Sequence, residues 1–233
     1  MRVSVCMATY NGNLFLEEQL DSILGQLSLE DEIIISDNGS TDNTISIIEN
    51  YKDPRIKLVH FTEKNLILNF ENALNKASGD IIFLSDQDDI WKEGKVQKYK
   101  ELLKDNLLVF SNASIFQNNN LESAKLFFNS KRKRTGIFNN LIKVNFLGCT
   151  LAFQRKVLEK ALPFPKNIPM HDIWIGLIAE TMGDTFYIEN PLIFYRRHEN
   201  VASATGNKSS FSLAKKIKIR IDLVVGLIFR SFK

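Results

Sequence analysis

"IIFLSDQDDIW", residues 81–91, begins as an apolar run that reads as a buried strand and ends in three carboxylates within four positions. Asp86, Asp88 and Asp89 repel one another unless a positive group lies between them. Upstream, the same succession of apolar run and polar turn recurs. "RVSVCMA" (2–8) is β-branched and leads into "TYNGN" (9–13), "DEIIISD" (31–37) leads into "NGSTD", and "IKLVHF" (56–61) is a third strand. Between them, "LFLEEQLDSILGQL" (14–27) places Leu16, Leu20, Ile23, Leu24 and Leu27 at helical spacing. A second helix is expected through Ile45, Ile47 and Ile48 to Tyr51, capped by Ser40 or Thr41. A third, "LNFENALNKAS" (68–78), precedes Gly79 as a C-cap. The strands are unbroken rather than alternating, as in a parallel sheet covered by helices on both faces. Ligands bind such sheets at the carboxyl ends of the strands, and "TYNG", "SDNGSTD" and "SDQDD" all fall there.

The second half is less regular. "KVQKYKELLK" (95–104) predicts a helix, "LLVFSNASIF" (107–116) a strand, and "VNFLGCTLAF" (144–153) another strand. "HDIWIGLIAETMG" (171–183) predicts a helix closed by Gly183, and "TFYIENPLIFYRRH" (185–198) a strand pair or extended segment. The polar, basic stretch 118–136 reads as a mobile loop, and 199–210 as turn-rich.

Composition narrows the function classes. The 233 residues are 44% hydrophobic and 24% charged, an ordinary globular balance, and the net charge of +3 gives no reason to expect a nucleic-acid partner. Cys6 and Cys149 read as buried free thiols in a reducing compartment, and no Cys or His spacing suits zinc. The N-terminus turns polar too early for a signal peptide, so a cytoplasmic location is expected. Neither a glycine-rich dinucleotide fingerprint nor a P-loop is present.

Asp86 and Asp88, two residues apart at a strand end, are suited to a hard divalent cation, Mg²⁺ or Mn²⁺. The same residues could simply cap the next helix, as Ser40 and Asp42 could in their own turn. Asp37 directly follows its strand, where acids often accept hydrogen bonds from nucleotide hydroxyls. Asp172, at a helix start, is either a cap or a base. The helix dipole there should lower its pKa and keep it ionised. Trp174 is either core or a sugar-stacking platform.

The ordered set "ATYNG", "DNGSTD", "GDIIFLSDQDDIW", "GCTLAF", "HDIW" and "YRRH" resembles the family 2 glycosyltransferases, within them the rhamnosyltransferase-like branch of bacterial surface-polysaccharide enzymes, over about residues 2–205. The resemblance implies a GT-A-type (Rossmann-like), mostly parallel α/β sheet flanked by helices. It divides the chain into a domain over 1–207, with a nucleotide-sugar-binding half (1–105) and an acceptor-binding half (106–207). It also implies a dTDP-, UDP- or GDP-linked sugar donor, inverting transfer to a saccharide or lipid-linked saccharide acceptor, and a divalent cation. Thr9, Asn11, Asp37, Asp86, Gln87, Asp88 and Arg196 would meet the donor, with Asp88, Asp86 and His198 at the metal and Asp172 as catalytic base. The sequence departs from the pattern at Asn38, where a second acid is usual, and after Asn65, where a glycine is expected.

The stretch 208–233 is a basic amphipathic tail. Leu213, Ile217, Ile221, Val224 and Ile228 form one helical stripe, with Lys215, Lys216, Lys218 and Arg220 mostly off it. Such a helix suits an anionic membrane surface on the inner face of the cell membrane, or packing on the core or on a second subunit. "KRKR" (131–134) is a solvated loop or a site of electrostatic capture for a diphosphate-linked lipid. Rival readings are a sugar nucleotidyltransferase, which should carry a Gly-rich, Arg-containing loop after the first strand, and a haloacid-dehalogenase-type phosphatase, whose D-x-D follows the first strand. The third rival is an inactive transferase-like scaffold.

Overall fold

In the computed structural model, which describes residues 1–117, 120–129, 134–198 and 212–231, strands β1 (Val3–Thr9), β2 (Glu32–Asp37) and β4 (Ile81–Ser85) are buried at every position. Successive side chains of a strand point to opposite faces, and here both faces are covered. Val3, Val5, Met7, Ile33, Ile35, Ile81 and Phe83 pack against α1 (Leu16–Leu24) and α4 (Lys95–Leu102). Cys6, Ala8, Ile34, Ile82 and Leu84 pack against α3 (Leu66–Leu74), α6 (Arg155–Ala161) and α7 (His171–Met182). The unbroken apolar runs are therefore explained by two cores on one sheet. Both thiols are free and buried.

The remaining elements are α2 (Thr44–Asn50), β3 (Ile56–His60), β5 (Ile90–Trp91), β6 (Leu108–Gln117), β7 (Asn120–Leu126), α5 (Ile137–Ile142), β8 (Leu151–Gln154), β9 (Thr185–Arg197) and α8 (Leu213–Ser231). The sheet runs β3-β2-β1-β4-β8-β6-β9-β5, with β7 beside the far end of β6. Parallel pairing holds across β3-β2-β1-β4 and again between β6 and β9, but β8 is antiparallel to both of its neighbours, and β5 and β7 are antiparallel too. The sheet is thus mixed, and the expected mostly parallel order describes its first half.

Several local expectations are corrected. The strand expected over 144–153 is reduced to Leu151–Gln154. Upstream of it the backbone at Asn145 donates to the Asn140 side chain, and a 3-10 turn occupies Gly148–Thr150. Within the stretch read as a mobile loop, Asn120–Leu126 pairs with β6, and Asn112 then holds the Phe128 backbone through its side-chain oxygen and amide. The segment expected over 185–198 is one strand, Thr185–Arg197, with Pro191 opposite Asn112 between two irregularities in its pairing with β6. Helix α3 ends at Leu74, so Gly79 is not its cap. A Cβ on Gly79 would meet the Ser4 amide nitrogen at 2.6 Å, so its role is close approach to β1.

Glu32 ties this region together. Its carboxylate accepts from Ser4 Oγ (2.6 Å), Ser78 N (2.7 Å) and Ser78 Oγ (2.7 Å), and pairs with Lys57 at 2.6 Å. Burial by itself would raise its pKa, but the bonds from Lys57, Ser4 and Ser78 outweigh burial and hold it at about 2. Glu32→Ala strands these buried donors and should cost about 2 kcal/mol, read as a lower urea midpoint at unchanged slope.

Candidate active site

The turns after β1, β2 and β4 converge because the strands are parallel and in register, with Thr9 beside Asp37 and Met7 beside Ser85. Asp37 is fully buried and braces this convergence. Its carboxylate accepts from Thr9 Oγ1 (3.0 Å), Ser40 Oγ (2.5 Å), Gly39 N (3.0 Å) and Ser40 N (2.8 Å). Asn11, at φ +48°, accepts from Thr41 N at 2.8 Å. Ser40 and Thr41 are committed to these bonds, so neither caps α2; its N-cap position is Asn43, which makes no side-chain cap bond, and Asp42 just before it accepts from Thr44 N at 3.0 Å. Gln87 joins the β4 turn to the β1 turn, accepting from Tyr10 N (2.9 Å) and donating to Tyr10 O (3.1 Å). Gly12 lies against it so closely that a Cβ would sit 2.5 Å from Gln87 Oε1.

Above these turns lies a cavity of about 350 Å³ whose wall includes Thr9, Asp86, Gln87, Asp88 and Asp172. The other expected contacts surround it rather than face it. Asn11 and Asp37 lie within the turns. Arg196 is buried, with Nε donating to Asp88 O at 2.8 Å and its guanidinium paired with Glu18 between the rings of Phe15 and Phe116. It shapes the Asp88 turn. His198 Nε2 is 2.8 Å from Asp88 Oδ2.

The counter-charge missing from the opening stretch is partly internal. Lys95 is fully buried, donates from Nζ to Cys149 O at 3.0 Å and lies 3.9 Å from the centre of the Trp91 ring. Burial pushes its pKa down to about 7, against the pull of Cys149, Asp89 and Asp86. Burial, then Asp88, then Asp172 push Asp86 up to about 7. Burial drives Asp89 well above the carboxylate range, where its Oδ1 accepts from Arg196 N at 3.0 Å. Ligand atoms of Asp86, Asp89 and Cys149 lie within 4.8 Å of one another. The residues present fit a divalent cation. Asp86 and Asp89 supply carboxylate oxygens suited to Mn²⁺ or Mg²⁺, with Asp88 beside them on the same turn and joined to His198, rather than the expected set of Asp86, Asp88 and His198 drawn together as one cluster. Burial drives the Cys149 thiol well above its ordinary pKa, so it offers little thiolate.

Asp172 lies in the first turn of α7, its Oδ1 accepting from Ile173 N at 2.7 Å. The helix start does not lower its pKa as expected. Burial raises it to about 6 and outweighs the amides of Ile173 and Gly148. Gly148 keeps the space beside it open, since a Cβ there would be 3.5 Å from both Asp172 Oδ2 and His171 Nε2. His171 is stacked on Phe70 at 3.9 Å, and burial holds its pKa down at about 3, so it is neutral. Trp174 is core, donating from Nε1 to Ala161 O at 2.9 Å.

Sequence reasoning missed Lys64, Asn69, Met170 and Tyr195 in the cavity wall. Only Asn69 leaves a signal, as an amide on the apolar face of α3 beside Phe70 and Ala73. Asn38, the departure from the acidic pattern, donates to Phe61 O (3.2 Å) and Glu63 O (2.6 Å), binding the loop after β3 to the cavity. Asn65, where the expected glycine is missing, caps α3 by accepting from Ile67 N at 2.9 Å. Of "KRKR", Arg134 is buried against Phe128 and donates to Asn145 Oδ1 at 3.1 Å, so it is not a solvated residue. Lys131, Arg132 and Lys133 lie outside the described residues, as does the turn-rich stretch 199–210.

Comparison with known proteins gives a consistent outcome. A family model, Glycosyl transferase family 2, matches residues 4–162. The dTDP-rhamnosyl transferase RfbG of Shigella flexneri is 30% identical over 97% of this chain and 81% of its own length. Among solved structures, S. aureus TarS 1–349 in complex with UDP-GlcNAc superposes with a TM-score of 0.71 at 17% identity, over 96% of this chain and 72% of that one. The mannosyltransferase PcManGT from Pyrobaculum calidifontis, in complex with GDP-Man and Mn²⁺, gives 0.60 at 24% identity, over 81% and 54%. The two structures share the fold.

Proposed function

The chain belongs to glycosyl transferase family 2 and has the GT-A fold of a glycosyltransferase, and from that premise we propose that it moves rhamnose or another hexose from a nucleoside-diphosphate donor to a saccharide or lipid-linked saccharide in bacterial surface-polysaccharide synthesis. One observation carries the reading: the buried Asp172 carboxylate shares a cavity with Asp86 and Asp88. Residues 1–105 would bind the donor, and 106–207 would shape the acceptor side. The name of the Shigella relative favours a dTDP-linked donor over UDP- or GDP-linked ones.

The reaction is a single displacement with inversion. Asp172 takes the proton from the acceptor hydroxyl as its oxygen bonds to the anomeric carbon, while the bond from that carbon to the diphosphate oxygen breaks and the nucleoside diphosphate departs. Water exclusion around the carboxylate makes it a stronger base than an exposed one. Asp88, with Asp86 and His198, would hold the divalent cation. When bound, the cation offsets the charge developing on the diphosphate. Gln87 ties the β4 turn to the β1 turn and Arg196 holds the Asp88 carbonyl, which would keep the donor side of the cavity in one arrangement.

The test is release of nucleoside diphosphate from dTDP-, UDP- or GDP-linked sugars that requires an added saccharide acceptor. A base must be unprotonated to act, so a carboxyl raised to about 6 limits the reaction on its acid side. The value of kcat/KM for acceptor should fall about tenfold per pH unit below pH 6 and level off above it. A profile flat from pH 5 to 8 would remove Asp172 from this role.

A further inference from the structure

Helix α8 has two apolar faces, and the fold uses one of them. Leu223 and Leu227 are buried in the core, Ile219 packs beside them, and Gly226 lies so close to Trp174 that a Cβ would be 3.0 Å from its ring. Arg230 donates to Leu162 O at 2.8 Å and clamps the C-terminal end. At 100° per residue the other stripe falls roughly opposite. Along it Ile217, Ile221, Val224 and Ile228 are exposed, with Phe229, at 69% exposure, on its flank. A helix docked for stability alone would leave that side polar.

The apolar surface continues onto a second element. Arg220 donates to Ile142 O at 3.1 Å, which brings the end of α5 beside the N-terminal half of α8. Ile142 and Phe138, four residues apart and so on one face of α5, are 76% and 79% exposed. Cations border this surface. Arg220 lies on one flank of the stripe with Lys216 beyond it, Lys218 on the other with Lys215 beyond it, and exposed Lys143 follows Ile142. The acid on α8, Asp222, is paired with Lys218 at 2.6 Å.

We infer that α5 and α8 together form a docking surface for an anionic lipid bilayer, with the apolar stripe entering the interface and the cations meeting lipid phosphates. Charge complementarity selects this occupant. A second copy placed on the same face would bring two cationic borders together, whereas an anionic surface is attracted to them. Apolar insertion combined with several basic residues supplies the two signals that stable interfacial binding needs. No helix among the described residues is long and apolar enough to cross a membrane, so the contact lies on the surface. Because α8 packs on Trp174, two residues beyond Asp172, docking would hold the helix that carries the candidate base next to the lipid surface.

The test is co-sedimentation of the full chain with phosphatidylcholine vesicles, with and without about one third phosphatidylglycerol. It contains no donor or acceptor, so its failure leaves the transferase reading untouched. The protein should pellet with anionic vesicles, with partitioning at least tenfold weaker on neutral ones or in 0.5 M salt. The double variant Ile221→Glu/Phe229→Glu should lose at least tenfold, and Phe138→Glu a smaller factor. Leu29→Glu, at an exposed leucine in the turn before β2, should match the wild type. These positions are exposed, so unchanged thermal unfolding will show that the variants fold. Wild-type protein that ignores anionic vesicles, or a double variant that pellets equally well, overturns the inference. So does a wild-type dimer in sedimentation velocity that becomes monomeric in the double variant without any vesicle binding.

Discussion

Asp172→Asn is expected to lower kcat by about 10²–10⁴-fold while leaving donor affinity unchanged. The isosteric amide keeps an oxygen to accept from Ile173 N, now 2.7 Å from Asp172 Oδ1, so the first turn of α7 should hold its shape. What disappears is the ability to take a proton. Stability should not suffer, because burial already disfavours the charged carboxylate, as its pKa of about 6 records. A variant that folds, binds donor and turns over within tenfold of wild type would mean that another group accepts the proton. His171 is a poor substitute, since its pKa of about 3 makes it a weak base at neutral pH.

The second large effect is expected at Asp88. Asp88→Ala should weaken cation-dependent binding of a nucleoside diphosphate by on the order of 100-fold or more, since even residues that merely orient a metal's ligands cost 10–100-fold when removed. Asp88 Oδ2 is also 2.8 Å from His198, so the alanine variant releases His198 as well. Asp88→Asn separates the two contributions, because its amide oxygen can still engage an imidazole N–H but carries no charge. If charge at the cation is what matters, Asn should be nearly as poor as Ala in calorimetry with Mn²⁺. Wild-type affinity in both variants would move the cation to the cluster of Asp86, Asp89 and Cys149.

The legible parts of the molecule were those in which chain neighbours determine the outcome. Apolar runs at 2–8, 31–37 and 81–85 read directly as covered strands, and their polar turns marked the rim of the cavity. What escaped was set by partners distant in sequence. Lys95 looks like any lysine at a helix start. It becomes a buried counter-charge because the backbone carbonyl of Cys149, 54 positions later, accepts its hydrogen bond and Trp91 covers it. Arg196 reads as a donor contact, but the aromatic pair Phe15 and Phe116 encloses its guanidinium and leaves it to hold a backbone carbonyl. Asp172 was placed correctly at its helix start, yet the sign of its pKa shift was missed. Helix position is local, whereas burial depends on what the rest of the chain brings against it. The strand expected at 144–153 failed similarly, because Asn140 captures the backbone at Asn145 before a ladder can form.

The central claim, a cation-dependent nucleotide-sugar site in the cavity between Thr9, Asp86, Asp88 and Asp172, is tested most directly by a thermal-shift panel on the full chain. UDP-, dTDP- and GDP-linked sugars would each be added with and without Mn²⁺. A ligand at about 100 times its Kd adds about 2.7 kcal/mol to the folded state, which raises Tm by about 5–10 °C for a chain of this size. The account predicts such a rise for at least one donor, dependent on Mn²⁺ and absent in Asp88→Ala. No shift with any donor, or an equal shift in that variant, would contradict it.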